Sequence, residues 1–290
     1  MEAAEDRKNV LWYRTEAKNW MEALPLGNGR LGAMFYGGAL DEKIQVDEST
    51  FWSGEPSDQN DLLETKELTQ KIREALLEKD YEKADKLGKN YVGRKGNYGT
   101  DLPTGNLKFR MISEGKNEIT DYERYLNIGD SLGGVRFCWG GSRFHRRLFV
   151  SNPDQLLALT CGQEGAEKKR FDLELFYEKI GAPVKISALE GKDVLLSGDA
   201  FETLHSDGKT GVRLEGAIRI LTDGKLSFDG EKVSVEKATG FTFLMDLRTD
   251  MEARVSGEKE SPKSIRKRCL KGLDVAEEKG IAVLRERHQK

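Results

Sequence analysis

The sequence predicts a mainly β protein, a large two-sheet antiparallel β-sandwich (a super-sandwich) carrying a short helical insertion and a C-terminal helical linker. Three observations predict it. From Asn106 to Leu247 apolar residues recur with a period of two, the signature of strands with one face on a core and one in water. The connections between these runs are short glycine turns such as Gly140-Gly141, Asp207-Gly208, Asp223-Gly224 and Asp229-Gly230, too short for the crossover helices of a parallel sheet. Helical spacing is confined to residues near Leu62–Leu87 and Ser261–His288. So many strands exceed a small barrel, and two stacked sheets bury them most simply.

Taken in order, Ala33 to Tyr36 forms a short apolar run closed by Gly37-Gly38, and Lys43 to Asp47 alternates with Ile44 and Val46 on one face. Both read as strands. Residues 61–89 read as the insertion. Leu68, Ile72, Ala75 and Leu76 share one helical stripe, and Asp80 caps a second helix holding Tyr81, Ala84 and Leu87. The strand series then follows: Leu107 and Phe109; Val135, Phe137 and Trp139; Phe171, Leu173, Leu175 and Tyr177. Val212, Leu214, Ile218 and Ile220 alternate with Arg213, Glu215 and Arg219, expected on the wet face. Phe241, Phe243, Met245 and Leu247 close the series. In the tail, Ser261 and Pro262 form an N-cap and first helical position. Ile265, Cys269, Leu273 and Ala276 follow at helical spacing. Gly280 interrupts, and Ile281, Leu284 and His288 resume. The pattern reaches Lys290 without a capping glycine or proline, which reads as a chain cut from something longer. On this reading the tail's apolar stripe awaits a neighbour, and the last turns fray or pack on a second copy.

Composition excludes several classes. With 47 Lys plus Arg against 50 Asp plus Glu, the net charge of −3 lacks the positive excess of a nucleic-acid binder. At 37% apolar residues the chain can build a core. No apolar run approaches the roughly 20 residues of a membrane helix. Cys138, Cys161 and Cys269 show neither pairing nor zinc spacing, and read as buried thiols. The charged segment Met1 to Lys8 lacks a signal-peptide core, so a cytoplasmic location is expected. No metal and no cofactor is expected.

Gly27-Asn28-Gly29-Arg30-Leu31-Gly32 fits G-x-G-x-x-G, but a dinucleotide site needs a following helix. Gly37-Gly38 would break one, so a glycine turn entering a strand is expected. Asp47 and Glu48 are adjacent on a strand and point to opposite faces, so they cannot act as a convergent acid pair. Glu48 falls on the apolar face with Ile44 and Val46 and needs a partner, for which Arg30 is a candidate. His145 lies between Arg143 and Arg147, whose charges lower its pKa. His205-Ser206-Asp207 reads as a turn around Asp207-Gly208, and His288 as a helix contact. Trp12, Tyr13, Trp20 and Trp52 crowd the first 52 residues. They could stack on sugars or bury against another domain, the commoner use.

Several segments together resemble a known family. They are Leu11-Trp12-Tyr13, Trp20, Ala23 through Met34, Ile44 through Gly54, Gly141-Ser142-Arg143-Phe144, and Phe149 through Gln155. In this order they resemble the N-terminal domain of glycoside hydrolase family 95, whose members are α-L-fucosidases with some α-L-galactosidases. Asp47 stands where that family commonly has Asn, and Arg147 where it often has Glu. The resemblance implies a β-sandwich over residues 1–255 and a helical linker over 256–290. A catalytic (α/α)6 barrel, the domain's own partner, would follow. Inverting hydrolysis of an oligosaccharide belongs to the barrel, so no catalytic residue is expected in this chain. Asn28, Arg30, Glu48 and Trp52 become candidates for substrate binding or for the barrel interface. A self-standing carbohydrate-binding module is the alternative. A weaker rival, a mutarotase-like enzyme, would need a histidine and a carboxylate converging in one concave face.

Overall fold

A computed structural model describes residues 7–55, 65–91, 98–114, 118–165, 167–181, 184–229 and 232–290. The expected starts of the chain and of the helical insertion, at Met1 and Asp61, and Gly230 of one turn lie outside these residues. The chain weaves between two antiparallel sheets, as the period of two required. It starts in the first sheet with β1 (Val10–Tyr13). It crosses to the second for β2 (Leu24–Gly27), β3 (Leu31–Phe35), β4 (Asp41–Glu48) and β5 (Gly105–Ile112). A meander of β6 (Ile119–Asn127), β7 (Leu132–Trp139), β8 (Ser142–Ser151) and β9 (Leu156–Gln163) returns it to the first. Then β10 (Phe171–Glu178) joins the second sheet, and β11 (Lys185–Glu190), β12 (Asp193–Asp199) and β13 (Arg213–Thr222) the first. Finally β14 (Lys225–Asp229) and β15 (Lys232–Ala238) edge the second sheet, and β16 (Phe241–Thr249) enters the first between β9 and β13. Among the described residues the sheets have nine and seven strands.

The core lies between the sheets. Phe109 of β5 meets the edges of Phe241 and Phe243 of β16 at 5.2 and 5.6 Å, while Phe137 and Phe144 stack at 5.3 Å. Such ring pairs add to the area they bury. The outer face of the seven-stranded sheet is wet, as expected: along β10, Asp172 is exposed while Phe171, Leu173 and Leu175 are buried.

The nine-stranded sheet departs from that expectation. Glu215 and Arg219 of β13, expected in water, are buried. The reason is the tail. After the short helix α3 (Met251–Val255), helix α4 (Pro262–Lys279) lies across β13 and β16, and α5 (Ile281–His288) lies against β8. Ser261 Oγ caps α4 by accepting from Ser264 N, Pro262 opens it, and Gly280, at φ 77°, breaks it from α5 as the sequence indicated. The stripe Ile265, Cys269, Leu273 and Ala276 is buried on the chain's own sheet, with Phe149, Ala158, Ala217 and Leu244 beneath the helices. The expectation of a stripe awaiting a neighbour, and of loose last turns, is therefore corrected. Leu284 is fully buried, and His288 stacks on Phe149 at 4.9 Å with Nε2 3.1 Å from the Ser131 carbonyl. Lys279 and Arg287 both bind Asp154, at 2.6 and 3.1 Å. Truncating Leu273 to alanine is expected to cost about 2–5 kcal/mol, the loss of a buried leucine in a site that cannot collapse. Urea denaturation measures it, and a cost below about 1 kcal/mol would show that α4 is no part of the folding unit.

The two buried charges of β13 survive because each is paired. Glu215 Oε1 accepts from Ser197 Oγ and Arg213, and its Oε2 accepts from Arg266 at 2.7 Å. Arg219 grips Asp193 with two bonds of 2.7 Å and reaches Asp274 and Glu277 on α4. Ionised, hydrogen-bonded pairs of this kind remove the penalty of an unpartnered buried charge. The helical insertion is simpler. Helices α1 (Thr65–Leu77) and α2 (Tyr81–Gly88) pack on each other through Ala75 and Ala84, with Asp80 capping α2. Leu76, expected in the buried stripe, is exposed. All three cysteines are free, and Cys138 is half-buried rather than buried.

Candidate functional site

The glycine-rich segment is a hairpin turn between β2 and β3, with Gly27 opposite Gly32. A strand rather than a helix follows it. Gly29 at φ 90° makes the turn possible without strain. Asn28 organises it: Oδ1 accepts from Arg30 N at 3.0 Å and Leu31 N at 2.8 Å, while Nδ2 donates to the Ser151 carbonyl at 2.8 Å. That last bond ties the hairpin to the other sheet.

The turn aims Arg30 between the sheets. Its Nε donates to Gln155 Oε1 at 2.9 Å, and Nη2 donates to the Gln155 carbonyl at 2.6 Å and to Asp246 Oδ1 at 2.8 Å. Nη1 donates to the Leu247 carbonyl and lies 3.6 Å from Glu48 Oε1. Arg30 is thus the partner expected for Glu48, but its closer carboxylate is Asp246. Glu48 sits on the inner face of β4, where its Oε2 accepts from Thr50 N at 2.9 Å and Thr50 Oγ1 at 2.6 Å. Thr50 Oγ1 in turn touches Thr249 Oγ1. Burial pushes the Glu48 carboxyl above its ordinary range, against the pull of Thr50 and Arg30. Burial does the same to Asp246, against Arg30 and Arg248, whose Nε donates to Asp246 Oδ2 at 2.7 Å. Sequence reading missed Asp246, Gln155 and Arg248. One signal was available: Leu244, Asp246 and Arg248 alternate on a strand whose other face is apolar from Phe241 to Leu247.

Trp52 lies apart from this buried centre. Its indole Nε1 donates to the Ser49 carbonyl at 3.2 Å, its backbone bridges Asp101, and 39% of the residue stays exposed. Asp47 points away from Glu48, as adjacent strand residues must. Burial, then the charge of Asp101, pushes its carboxyl up to about 6, and its Oδ1 has no hydrogen-bond partner among the described residues. Burial raises Asp101 as well. The structure therefore couples Asp47 with Asp101, across a 54-residue separation that spacing could not reveal. Trp12, Tyr13 and Trp20 are also exposed, so the chain itself does not bury the aromatic cluster.

His205 Nδ1 lies 3.6 Å from Glu202, but Glu202 Oε2 accepts from Leu204 N and His205 N, and its Oε1 from Ser53 Oγ. Asp207 Oδ1 accepts from Lys209 N, Thr210 N and Thr210 Oγ1, as a turn requires. Burial and then the Arg147 charge hold His145 below the usual histidine range. Among the described residues no group of three metal-ligating side chains converges. Chemically, the Arg30 centre is saturated with internal bonds and faces inward. It can hold geometry, whereas Trp52 stays partly exposed, with its backbone bridged to Asp101.

Residues 11–254 match the family described as glycosyl hydrolase family 65, N-terminal domain. The chain belongs to that family. The motif resemblance is borne out as far as an N-terminal domain of a glycoside hydrolase; the family named by this match is family 65. The fucosidase link persists among relatives of this family 65 domain. It is similar to alpha-L-fucosidase 2 of Arabidopsis thaliana, 25% identical over 299 residues, which covers 96% of this chain and 34% of that protein. It is similar to a probable alpha-fucosidase A of Aspergillus oryzae, 26% identical over 157 residues, covering 51% of this chain and 21% of that protein. Among solved structures it resembles a putative kojibiose phosphorylase from the human microbiome, with a TM-score of 0.55 and 13% identity over 97% of this chain and 37% of that one. The likeness to the phosphorylase is one of fold. The chain spans about a third of the length of the first of these relatives.

Proposed function

We propose that this family 65 domain is the non-catalytic N-terminal part of an α-L-fucosidase-type glycoside hydrolase acting on fucosylated glycans. In this reading it packs on, and supports, a separate catalytic (α/α)6 barrel. One observation carries the proposal: similarity to the Arabidopsis fucosidase runs through 96% of this chain yet only 34% of that protein. The site geometry agrees. Inverting hydrolysis needs two carboxyl groups about 6.5–9.5 Å apart across the scissile bond. Asp47 and Glu48 diverge, and Glu48 and Asp246 are engaged with Arg30. Asn28, Arg30 and Glu48 then act by fixing the hairpin to the opposite sheet, and Trp52 by presenting a ring at the rim where barrel or sugar would rest.

The purified chain, incubated with fucosyllactose and with an aryl α-L-fucoside, is expected to release no L-fucose. Without an acid and an activated water, a rate enhancement of at least about a millionfold is missing. Turnover that scales with protein and disappears in Glu48→Gln would overturn the proposal. The exposure of Trp12, Trp20 and Trp52 favours one second reading, a self-standing carbohydrate-binding module. Saturable quenching of tryptophan fluorescence by fucosyllactose, lost in Trp52→Ala, would support it.

A further inference from the structure

A cleft of about 480 Å³ opens on the outer face of the nine-stranded sheet, on the far side from the sandwich core. Its floor is made by β8, β9 and β16, and one wall by the start of α5. Two arginines line it: Arg147, half-buried on β8, and Arg285, exposed on α5. Both also line the smaller cleft beside it, so they stand on the ridge between the two. Neither has a hydrogen bond or an ion pair with any described side chain. That sets them apart from Arg30, Arg146, Arg213, Arg219, Arg248 and Arg266, each of which is bound to a carboxylate.

A second feature points into the same space. Ile281 and Ala282, the first two residues of α5, line the cleft, and no side chain caps that helix. Its leading N–H groups and the positive end of its dipole are therefore offered to whatever occupies the cleft. Asp223 is the only acid among the lining residues. Its two oxygens are occupied, Oδ1 by Thr239 N and Oδ2 by Thr239 Oγ1, each at 2.8 Å. The remaining surface is mostly carbon, from Phe149, Leu221 and Ile281, with the hydroxyls of Thr160 and Thr242 between.

We infer that this cleft is a binding site for a small organic anion, in which Arg147, Arg285 and the start of α5 hold a carboxylate, sulfate or phosphate group while the apolar wall takes a compact body such as a sugar ring. Guanidinium forks match such oxyanions with paired hydrogen bonds, and an uncapped helix start adds N–H donors without a further charge. The site lies outside the Arg30 centre and beyond the fucosidase reading, and stands or falls independently of it.

Calorimetric titration of the full 290-residue chain at constant ionic strength tests the assignment. The probes are D-glucuronate, glucose 1-phosphate, inorganic sulfate and neutral glucose. Saturable binding of glucuronate or glucose 1-phosphate is expected, with a dissociation constant of about 1 mM or tighter. Glucose should bind at least tenfold more weakly. Sulfate should bind more weakly than the sugar anions, because it leaves the apolar wall uncovered; sulfate binding as tight as theirs would overturn the part given to that wall. Arg285→Gln, on an exposed position that cannot unfold the sheet, should weaken binding tenfold or more. Arg147→Gln should do the same, with Arg147→Lys as the variant that keeps the strand's charge. Arg143→Gln, on the same strand outside the cleft, should change nothing. Absence of saturable binding by both sugar anions, equal binding of glucose, or affinities unmoved by the Arg285 and Arg147 variants would each overturn the inference.

Discussion

Replacing Arg146 by methionine is expected to lower the unfolding free energy by about 3–5 kcal/mol, the cost of stranding a buried counter-charge. Arg146 of β8 and Glu42 of β4 face each other between the sheets, with both side chains fully buried and Nη1 2.7 Å from Oε2. The guanidinium also donates to the Gly38 and Ala39 carbonyls and lies over the Phe109 ring at 4.7 Å. Glu42 Oε1 accepts from Gly37 N at 2.9 Å. Burial pushes the Glu42 carboxyl up to about 7, against the pull of Arg146. Its folded value therefore lies above the unfolded one, so the group's stabilising share is present below the ordinary carboxylate value of about 4.5 and is lost as pH rises through about 7. Without Arg146 only the backbone N–H groups of Gly37 and Gly38 oppose that rise. The Arg146→Met deficit should accordingly be larger at pH 8 than at pH 5, where Glu42 can take a proton. Urea midpoints at the two pH values measure it. Adding Glu42→Gln should restore much of the loss at pH 8 and little at pH 5. A deficit independent of pH, or no rescue, would show that the pair's charge is not what holds the sheets here.

Arg30→Met is expected to cost about 2–4 kcal/mol, somewhat below a fully buried pair because 23% of the Arg30 side chain meets solvent. Its loss frees Asp246 from one of two arginines, removes the nearest cation from Glu48, and unties Gln155 from the hairpin. Glu48 and Asp246 both have raised carboxyls, so their stabilising share is again present in acid and lost as pH rises. The deficit of Arg30→Met should widen from pH 5 to pH 8. Arg30→Lys keeps the charge but not the fork that reaches Gln155, Leu247 and Asp246 together, and should recover less than half. Thermal or urea unfolding of the three proteins decides the matter. Full recovery by lysine would mean that charge alone, and not the set of directed bonds, fixes the turn.

The sequence disclosed what depends on neighbours two or four residues away. Alternation at Leu107, Phe109 and Phe241–Leu247 placed strands and their inner faces, and Ser261-Pro262 and Gly280 placed the limits of α4. Glu48 beside Ile44 and Val46 disclosed a buried carboxylate, and Arg30 was found as its partner because the hairpin is short. What stayed hidden depends on long-range pairing. Asp246 lies 216 residues from Arg30, and no local pattern joins them. Glu215 and Arg219 read as wet because alternation reports what a strand alone would do. It is silent about a helix laid over the outer face 50 residues later. The tail's apolar stripe was legible, but the surface it covers was not.

That covering helix separates two ways of bounding the protein. The family match ends at residue 254, while similarity to the Arabidopsis relative runs through 96% of the chain. The surface shielded from water continues to α4 and α5, because Glu215 needs Arg266, Arg219 is shared with Asp274 and Glu277, and Asp154 holds Lys279 and Arg287. A gene fragment cut at residue 254 would strip these ions of their counter-charges and open the greasy patch around Phe149 and Leu244. The stretch that the family match spans is thus smaller than the unit whose buried charges are satisfied, and α4 and α5 make the difference.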